Sequence, residues 1–532
     1  MVRIYHGYRR INRLDYLPMR AARVKDSVSF RMFPGTQRKD ILAVSLGMHV
    51  DGAICPAPNP NDILNIVCGV QKRFGIQTPK MDRKLLREYR SYNRSLLRHN
   101  LVPLAPDTDI SYETWIANAP YPQSRKDEIT RAKKASDAVR RQERRNSSFV
   151  KREHYLTFKE ARLINSRSDK FKAETGPYFH KIEEVVYGLK WFIKHVPVAS
   201  RPKEILGMWQ PGCCVIETDH TAFEAHISPR FMRCGEMQLY AYMVRGLPDG
   251  RDFIDMTVRA LTGRNECVFG GKRGLEKLLV GIDGTRMSGD MCTSLGNGWT
   301  NLSLMKFAIH KLGGKCDGRV EGDDGVFMVT GLQPGSHVFE HLGFKIKMQA
   351  RADISYTSFC GNIFAPESLV NLTDAFKQIA KFGWSMSDQR FGTHVTRMGL
   401  LRAKALSLLT TNAGCPILNA FAHWAERATR GVDLVFSGRG GEKTYWENQI
   451  SIEPVNRTVD LRSRLLYEEH FGVPCNTQIL IEKYFDEQTS VHPIPLRVFQ
   501  GMLPMAWITA WSDTLSIPEI DLTGCHRRKW CA

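Results

Sequence analysis

Carboxylates bunched at the ends of short apolar runs are the residues of this chain best suited to chemistry. Val320-Glu321-Gly322-Asp323-Asp324-Gly325-Val326 sets two adjacent aspartates between apolar flanks, and roughly a hundred residues earlier Cys214-Val215-Ile216-Glu217-Thr218-Asp219 ends in acids, with Glu224 just beyond. Gly-Asp-Asp by itself is no more than turn composition. Its flanks say more: Val320 on one side and Val326 to Val329 on the other predict two strands joined by a tight turn, with Asp323 and Asp324 together at the tip. Cys213 to Ile216 reads as a second short strand, with Asp219 where it would end. Carboxylates held close repel and raise one another's pKa unless a cation neutralises them. Hard oxygen donors of this kind favour magnesium or manganese over zinc, and two such clusters can hold two ions.

Between the acid clusters lies Gly284-Thr285-Arg286-Met287-Ser288-Gly289-Asp290-Met291-Cys292-Thr293-Ser294-Leu295-Gly296-Asn297. Leu295, Trp299, Leu302, Met305, Ile309 and Leu312 then recur at three- and four-residue steps, and Gly313-Gly314 ends the run, which predicts a helix. Ser288, Thr293 and Asn297 would cluster near its start, facing whatever the metals hold. A Ser/Thr cap and a buried Asn would explain the segment in isolation; its spacing from both acid clusters argues for a place in the site.

Asp219 with Glu224, the Ser-Gly-x-x-x-Thr-x-x-x-Asn pattern of Ser288 to Asn297, and Gly322-Asp323-Asp324 resemble, in order, the first three palm motifs of viral RNA-dependent RNA polymerases. The likeness is greatest to the tombusvirus-like and noda-like enzymes, which share the Arg-Met-Ser-Gly-Asp-Met opening at 286–291 and the Phe-Val-Lys-x-Glu element at Phe149 to Glu153. Gly343 to Lys347 resembles the fourth motif and Ser358 to Asn362 the fifth, so the match runs from about Phe149 to about Trp384.

The resemblance implies an α+β right-hand fold of fingers, palm and thumb, with an antiparallel palm sheet backed by helices and a mostly helical thumb. It divides the chain into a basic N-terminal extension with fingertips (1–148), fingers (149–210), palm (211–365, with a fingers insertion at about 231–280), and thumb with the C-terminal region (366–532). It implies attack of a strand's 3′-hydroxyl on a nucleoside triphosphate, assisted by two Mg2+ (or Mn2+) ions on Asp219, Asp323 and Asp324. Lys345, or Lys347, would be the general acid. Arg162, Arg167 and Lys170 would bind nucleotide phosphates, with Glu224, Ser288, Thr293 and Asn297 around the sugar and base. Lys151, Arg286 and Gly289 would contact RNA. One position departs from the family pattern: the second acid of the first motif, five residues after the metal ligand, is usually Asp and here is Glu224. In the family that acid works with the motif's Asn, here Asn297, to select ribose, so the strictness of sugar selection is the property most exposed to the change.

Implied partners are an RNA template and product strand, nucleoside triphosphates, other viral replication proteins and a host membrane surface. The implied setting is the host cytoplasm, in a membrane-associated replication complex. A reverse transcriptase would share the acids and metals, but its third motif resembles Tyr-x-Asp-Asp and its second lacks the Ser-Thr-Asn pattern. A non-enzymatic RNA-binding protein would explain the positive charge without the acid spacing. A polymerase relic would show decayed motifs, and none is decayed.

The elements that must position these residues need a large core, and 532 residues with 42% hydrophobic content can supply one. The net charge of +20 is uneven: positions 1–200 hold 38 basic and 20 acidic residues, the remainder 37 and 35, so about +18 lies before the palm motifs. Such a front half suits a channel along a nucleic-acid backbone. Arg125 to Arg145 reads as a charged helix, and Tyr112 to Trp115 as packing or template-guiding aromatics. Pro56 to Asn61 and Ser437 to Glu442 read as loops. Leu400 to Leu409 reads as a buried helix of the thumb. Thirteen cysteines with no Cys-x-x-Cys pair read as reduced thiols, and Cys525, His526 and Cys531 are too loosely spaced for zinc. No apolar run reaches eighteen residues and no signal peptide opens the chain.

Overall fold

The computed structural model describes residues 43–53, 63–135, 145–156, 160–270, 277–438 and 447–504, with short stretches outside them such as 28–33. At its centre is a four-stranded, wholly antiparallel sheet in the order Lys315–Glu321, Asp324–Thr330, Cys214–His220, Ile346–Arg351. Side chains alternate across a strand, so neighbours in sequence enter different cores. Ile216, Phe327 and Val329 face the helix Thr293–Lys311, where they meet Trp299, Leu302 and Met305; Val215 and Val326 enter a separate cluster with Ile193, Ile205, Met208, Ile354 and Phe359. Both faces are covered, which explains why Gly325 to Val329 is buried without a break.

The helix Thr293–Lys311 is buried nearly all round, and Gly313 follows its end at φ +71°. The expected apolar stripe is buried from Leu295 to Ile309, while Leu312 lies past the helix end and is exposed.

A second, seven-stranded sheet gathers distant pieces. Its order is Arg9–Ile11, Ile4–His6, Ser29–Phe33, Lys277–Ile282, Asn265–Gly270, Arg145–Val150, Leu163–Arg167. The strands Asn265–Gly270 and Lys277–Ile282 therefore join the front half of the chain, whereas the helices Pro229–Cys234, Glu236–Met243 and Gly250–Thr262 pack into the core of the central sheet. The charged helix expected from Arg125 to Arg145 is shorter: it spans Gln123–Lys134, residues 136–144 lie outside the described residues, and Arg145 opens a strand. The strand forms because Asn146, Ser148 and Val150 alternate inward against Asn265–Gly270 and Leu163–Arg167. Tyr112 and Trp115 are buried against Ile129 and Ala173, so they pack rather than guide a template.

From Ile363 onward the chain is mostly helical around one core, and the helix His394–Thr411 buries Leu400, Leu401, Leu406 and Leu409. Residues 46–53 belong to that core as well: Val44–Ser45 pairs antiparallel with Trp384–Ser385, and Val50 bridges Ile494. Among the described residues ten cysteines are free thiols; Cys55, Cys525, His526 and Cys531 lie outside them. Among the described residues no helix is long and apolar enough to cross a membrane.

Candidate active site

Glu321 pairs with Asp324 across the central hairpin, leaving Gly322 and Asp323 as its two-residue turn. Gly322 takes φ +63°, the positive value such a turn requires at its first central position and which a side chain resists. On the other side Gly325 pairs with Thr218, so the register carries Asp324 to the level of Asp219 one step further along. The two acid clusters thus meet at one end of the sheet, and Asp219 is itself paired with Lys347 on the edge strand.

Asp324 is exposed over its surface, yet its carboxyl stands among other acids. Lost solvation, then the charges of Asp323, Glu321 and Asp219, push it up to about 6, opposed by a hydrogen bond from the Cys360 thiol. Because the residue's surface is open, the like charges are the firmer of these causes. Behind the turn Arg201 holds Glu321 at 2.5 Å and Lys194 stands 3.7 Å from it. Asn301, which sequence reasoning missed, donates to the Asp323 carbonyl at 2.9 Å and pairs with His220 at 3.3 Å, tying the turn to the helix. The available signal was its spacing: Asn301 follows Asn297 by one helical turn and shares its face.

Asp219, Asp323 and Asp324 are hard oxygen donors brought to the same end of the sheet by the strand register. Among the described residues no three His, Cys, Asp or Glu side chains come together as a group that could hold a metal ion. Magnesium is commonly held by one or two carboxylates together with substrate phosphates, so this donor set fits such an ion. The crowding gives a testable pH dependence. A carboxyl raised above its unfolded value, about 3.9, destabilises the fold once ionised; the penalty is absent below about pH 4, grows through the interval and is complete above about pH 6. Asp324→Asn is expected to melt above the wild type at pH 7.5 without metal, with the difference vanishing toward pH 4. Equal melting temperatures at both pH values would contradict the crowding.

The loop before the long helix is pinned to the second sheet. Ser288 accepts from the Asn165 amide at 2.6 Å, and Gly289, at φ +121°, lies where a Cβ would meet the Asn165 carbonyl at 3.0 Å. Thr293 Oγ1 donates to the Met287 carbonyl at 3.0 Å and accepts from the Gly289 amide at 3.3 Å, so its hydroxyl shapes the loop. Asn297 is buried and accepts from Arg286 Nε at 3.0 Å.

Several expected contacts are corrected. Arg286 is wholly buried, paired with Glu236 and capped by Tyr240, which donates to the same carboxylate at 2.8 Å; it has no surface to offer RNA. Arg167 is buried against Asp290 at 2.8 Å, so it braces this loop and does not grip phosphate. Lys170 donates to the carbonyls of Lys133 and Ala135, at the end of the helix Gln123–Lys134. Both arginines thus meet a buried protein carboxylate, whereas Lys170 stays part-exposed. Arg162 and Lys151 are different: both remain part-exposed around Glu153, at 3.5 and 3.0 Å. Lys345 is exposed ahead of the edge strand, its carbonyl accepting from the Thr221 amide, and Lys347 is the lysine in register with Asp219. Glu224 follows Ala222, a non-glycine residue at φ +48°, and faces Arg73 at 3.7 Å.

A family profile described as viral RNA dependent RNA polymerase matches residues 67–491. The chain is 26% identical over 323 residues to the RNA-directed RNA polymerase of Panicum mosaic virus (strain United States/Kansas 109S), covering 58% of this chain and 29% of that protein. It is 24% identical over 381 residues to the putative RNA-directed RNA polymerase of Barley yellow dwarf virus (isolate PAV), covering 64% and 41%. With the RNA-directed RNA polymerase of Oat chlorotic stunt virus (isolate United Kingdom) the identity is 26% over 361 residues, covering 61% and 46%. The matches span less than half the length of each of these relatives.

Proposed function

The chain belongs to the viral RNA-dependent RNA polymerase family, and on that premise we propose that it carries out template-directed RNA synthesis in a tombusvirus-like or noda-like replication system. The observation that supports this most is the register that brings Asp219 level with Asp324 beside the Gly322-Asp323 turn. In this reading the central sheet is the palm, the seven-stranded sheet belongs to the fingers, and the helical body from about 366 is the thumb. Asp219, Asp323 and Asp324 would hold two Mg2+ or Mn2+ ions. When bound, such ions lower the pKa of the attacking 3′-hydroxyl and neutralise the triphosphate.

The chain's own residues supply positioning. Asn301 and the Arg201–Glu321 pair fix the turn, so the carboxylates need not reorganise as charge develops. Arg162 and Lys151 present cations to phosphate, and an arginine fork suits that geometry. Lys347, facing Asp219, and Lys345 are the candidates to give a proton to the leaving pyrophosphate. Asn297 and Glu224 read the sugar. RNA template and product, nucleoside triphosphates, further viral replication proteins and a host membrane surface are the proposed partners, in a cytoplasmic replication complex.

The test is incorporation of labelled ribonucleotides on single-stranded RNA by the purified chain. Product that requires template and is lost with a metal chelator is expected. RNA binding without product would favour a binding protein.

A further inference from the structure

The chain between 63 and 75 contains an irregularity that the motifs do not explain. The helix Ile63–Val70 continues into a π-helical turn, Gln71–Gly75, whose Phe74 is buried in the core of the seven-stranded sheet. Single π-turns are uncommon and recur at functional sites. This one packs on the short helix Phe223–His226 and directs Arg73 at Glu224.

The contact is an attraction without a hydrogen bond. Arg73 Nη1 stands 3.7 Å from Glu224 Oε2, with both side chains mostly covered. Among the described residues that same Oε2 is buried with no hydrogen-bond partner, and so is Arg73 Nε. A carboxylate oxygen taken out of water and left without a donor is costly unless something arrives to fill it. Arg73 therefore anchors the acid while leaving its lone pairs open.

The loop that leads to Asn297 is tied to this acid, Thr285 Oγ1 donating to the Glu224 carbonyl, and what would fill the open lone pairs follows from that neighbour. Arg286 donates to Asn297 Oδ1, which fixes that amide and leaves its N–H2 group as the donor. Glu224 contributes an acceptor and Asn297 a donor; a ribose 2′-hydroxyl can satisfy both at once, and a deoxyribose can satisfy neither. We propose that Arg73 is a specificity-positioning residue, which sets the depth of the Glu224 carboxylate so that its open oxygen reads the 2′-hydroxyl of the incoming nucleotide. The longer acid belongs with this partner: an aspartate at 224 would withdraw from Arg73. The inference rests on the polymerase reading above and adds to it a residue far from every motif.

The test compares kcat/KM for ribo- and deoxyribonucleoside triphosphates in wild type, Arg73→Ala, Arg73→Lys and Glu224→Asp, with melting temperatures to establish folding. Arg73→Ala is expected to narrow the ribose preference by about tenfold, through a loss for the ribonucleotide, as the removal of one well-made hydrogen bond would. Arg73→Lys should recover part of it, and Glu224→Asp should narrow it as Arg73→Ala does. Proportional losses for both sugars would make Arg73 a structural residue and overturn the inference, as would an unchanged ratio. Calorimetric binding of ATP against dATP provides a second arm that needs no turnover. If wild type makes no product, the polymerase reading is what fails; a ribose preference in binding that Arg73→Ala leaves intact overturns the inference in that case too.

Discussion

Asp219→Ala and Asp323→Ala are each expected to lower RNA synthesis by more than about a hundredfold while the protein stays folded. Loss of an outer-sphere partner of a metal ligand already costs 10–100-fold, and these carboxylates would be the ligands themselves. The fold should tolerate their removal because neither side chain is part of a core. Asp219 is exposed on its strand and Asp323 occupies a turn whose geometry depends on Gly322 and on its own backbone carbonyl, held by Asn301. Single-turnover incorporation at saturating magnesium, beside thermal melting, checks both halves. Activity within tenfold of wild type for either variant would remove that acid from the site. A loss of activity accompanied by unfolding would instead show that the acids hold the sheet end together.

The second large effect is on stability. Arg286→Met is expected to destabilise the chain by about 3–5 kcal/mol, because it leaves the Glu236 carboxylate buried without its cation. The pair has no exposed surface, and Gly296 is the residue that makes room for it: a Cβ there would lie 2.1 Å from Glu236 Oε2. Glu236→Gln alone should also destabilise, whereas Arg286→Met with Glu236→Leu should recover most of the loss, since matched apolar replacements of a buried pair are often neutral. A double-mutant cycle read by thermal melting measures the coupling. Additive losses would show that the two charges do not depend on one another. The expected functional echo is a looser Asn297, whose side-chain oxygen Oδ1 accepts from Arg286.

The acid turn and the long helix were legible in the sequence because their signals are local. A two-residue turn demands Gly322, the flanking valines demand strands, and the apolar repeat from Leu295 to Ile309 demands a helix. Cations were misread for the opposite reason. Arg167 and Arg286 look alike in sequence to residues that grip phosphate or RNA, and what distinguishes them is a partner far along the chain: Asp290 and Glu236. No local pattern announces a buried ion pair. Asn301 and Arg73 were missed likewise, since their roles depend on Asp323 and Glu224 being brought to them by the sheet and by the π-turn. The stretch expected at about 231–280 as one insertion divides between two cores, its helices entering one and its strands the other, which no local pattern announces.

The insertion of residues 46–53 into the core built by 363–507 has a consequence for biosynthesis. Val50 is made before its partner Ile494, which emerges 444 residues later. At elongation rates of 5–20 residues per second, Val50 leaves the ribosome roughly 20–90 s before its partner exists. Closure of that distant pairing therefore comes late relative to the synthesis of Val50, and the nascent chain must keep an apolar segment from pairing elsewhere while it waits. Slowing translation lengthens that wait, which makes the yield of folded chain sensitive to the speed of the ribosome.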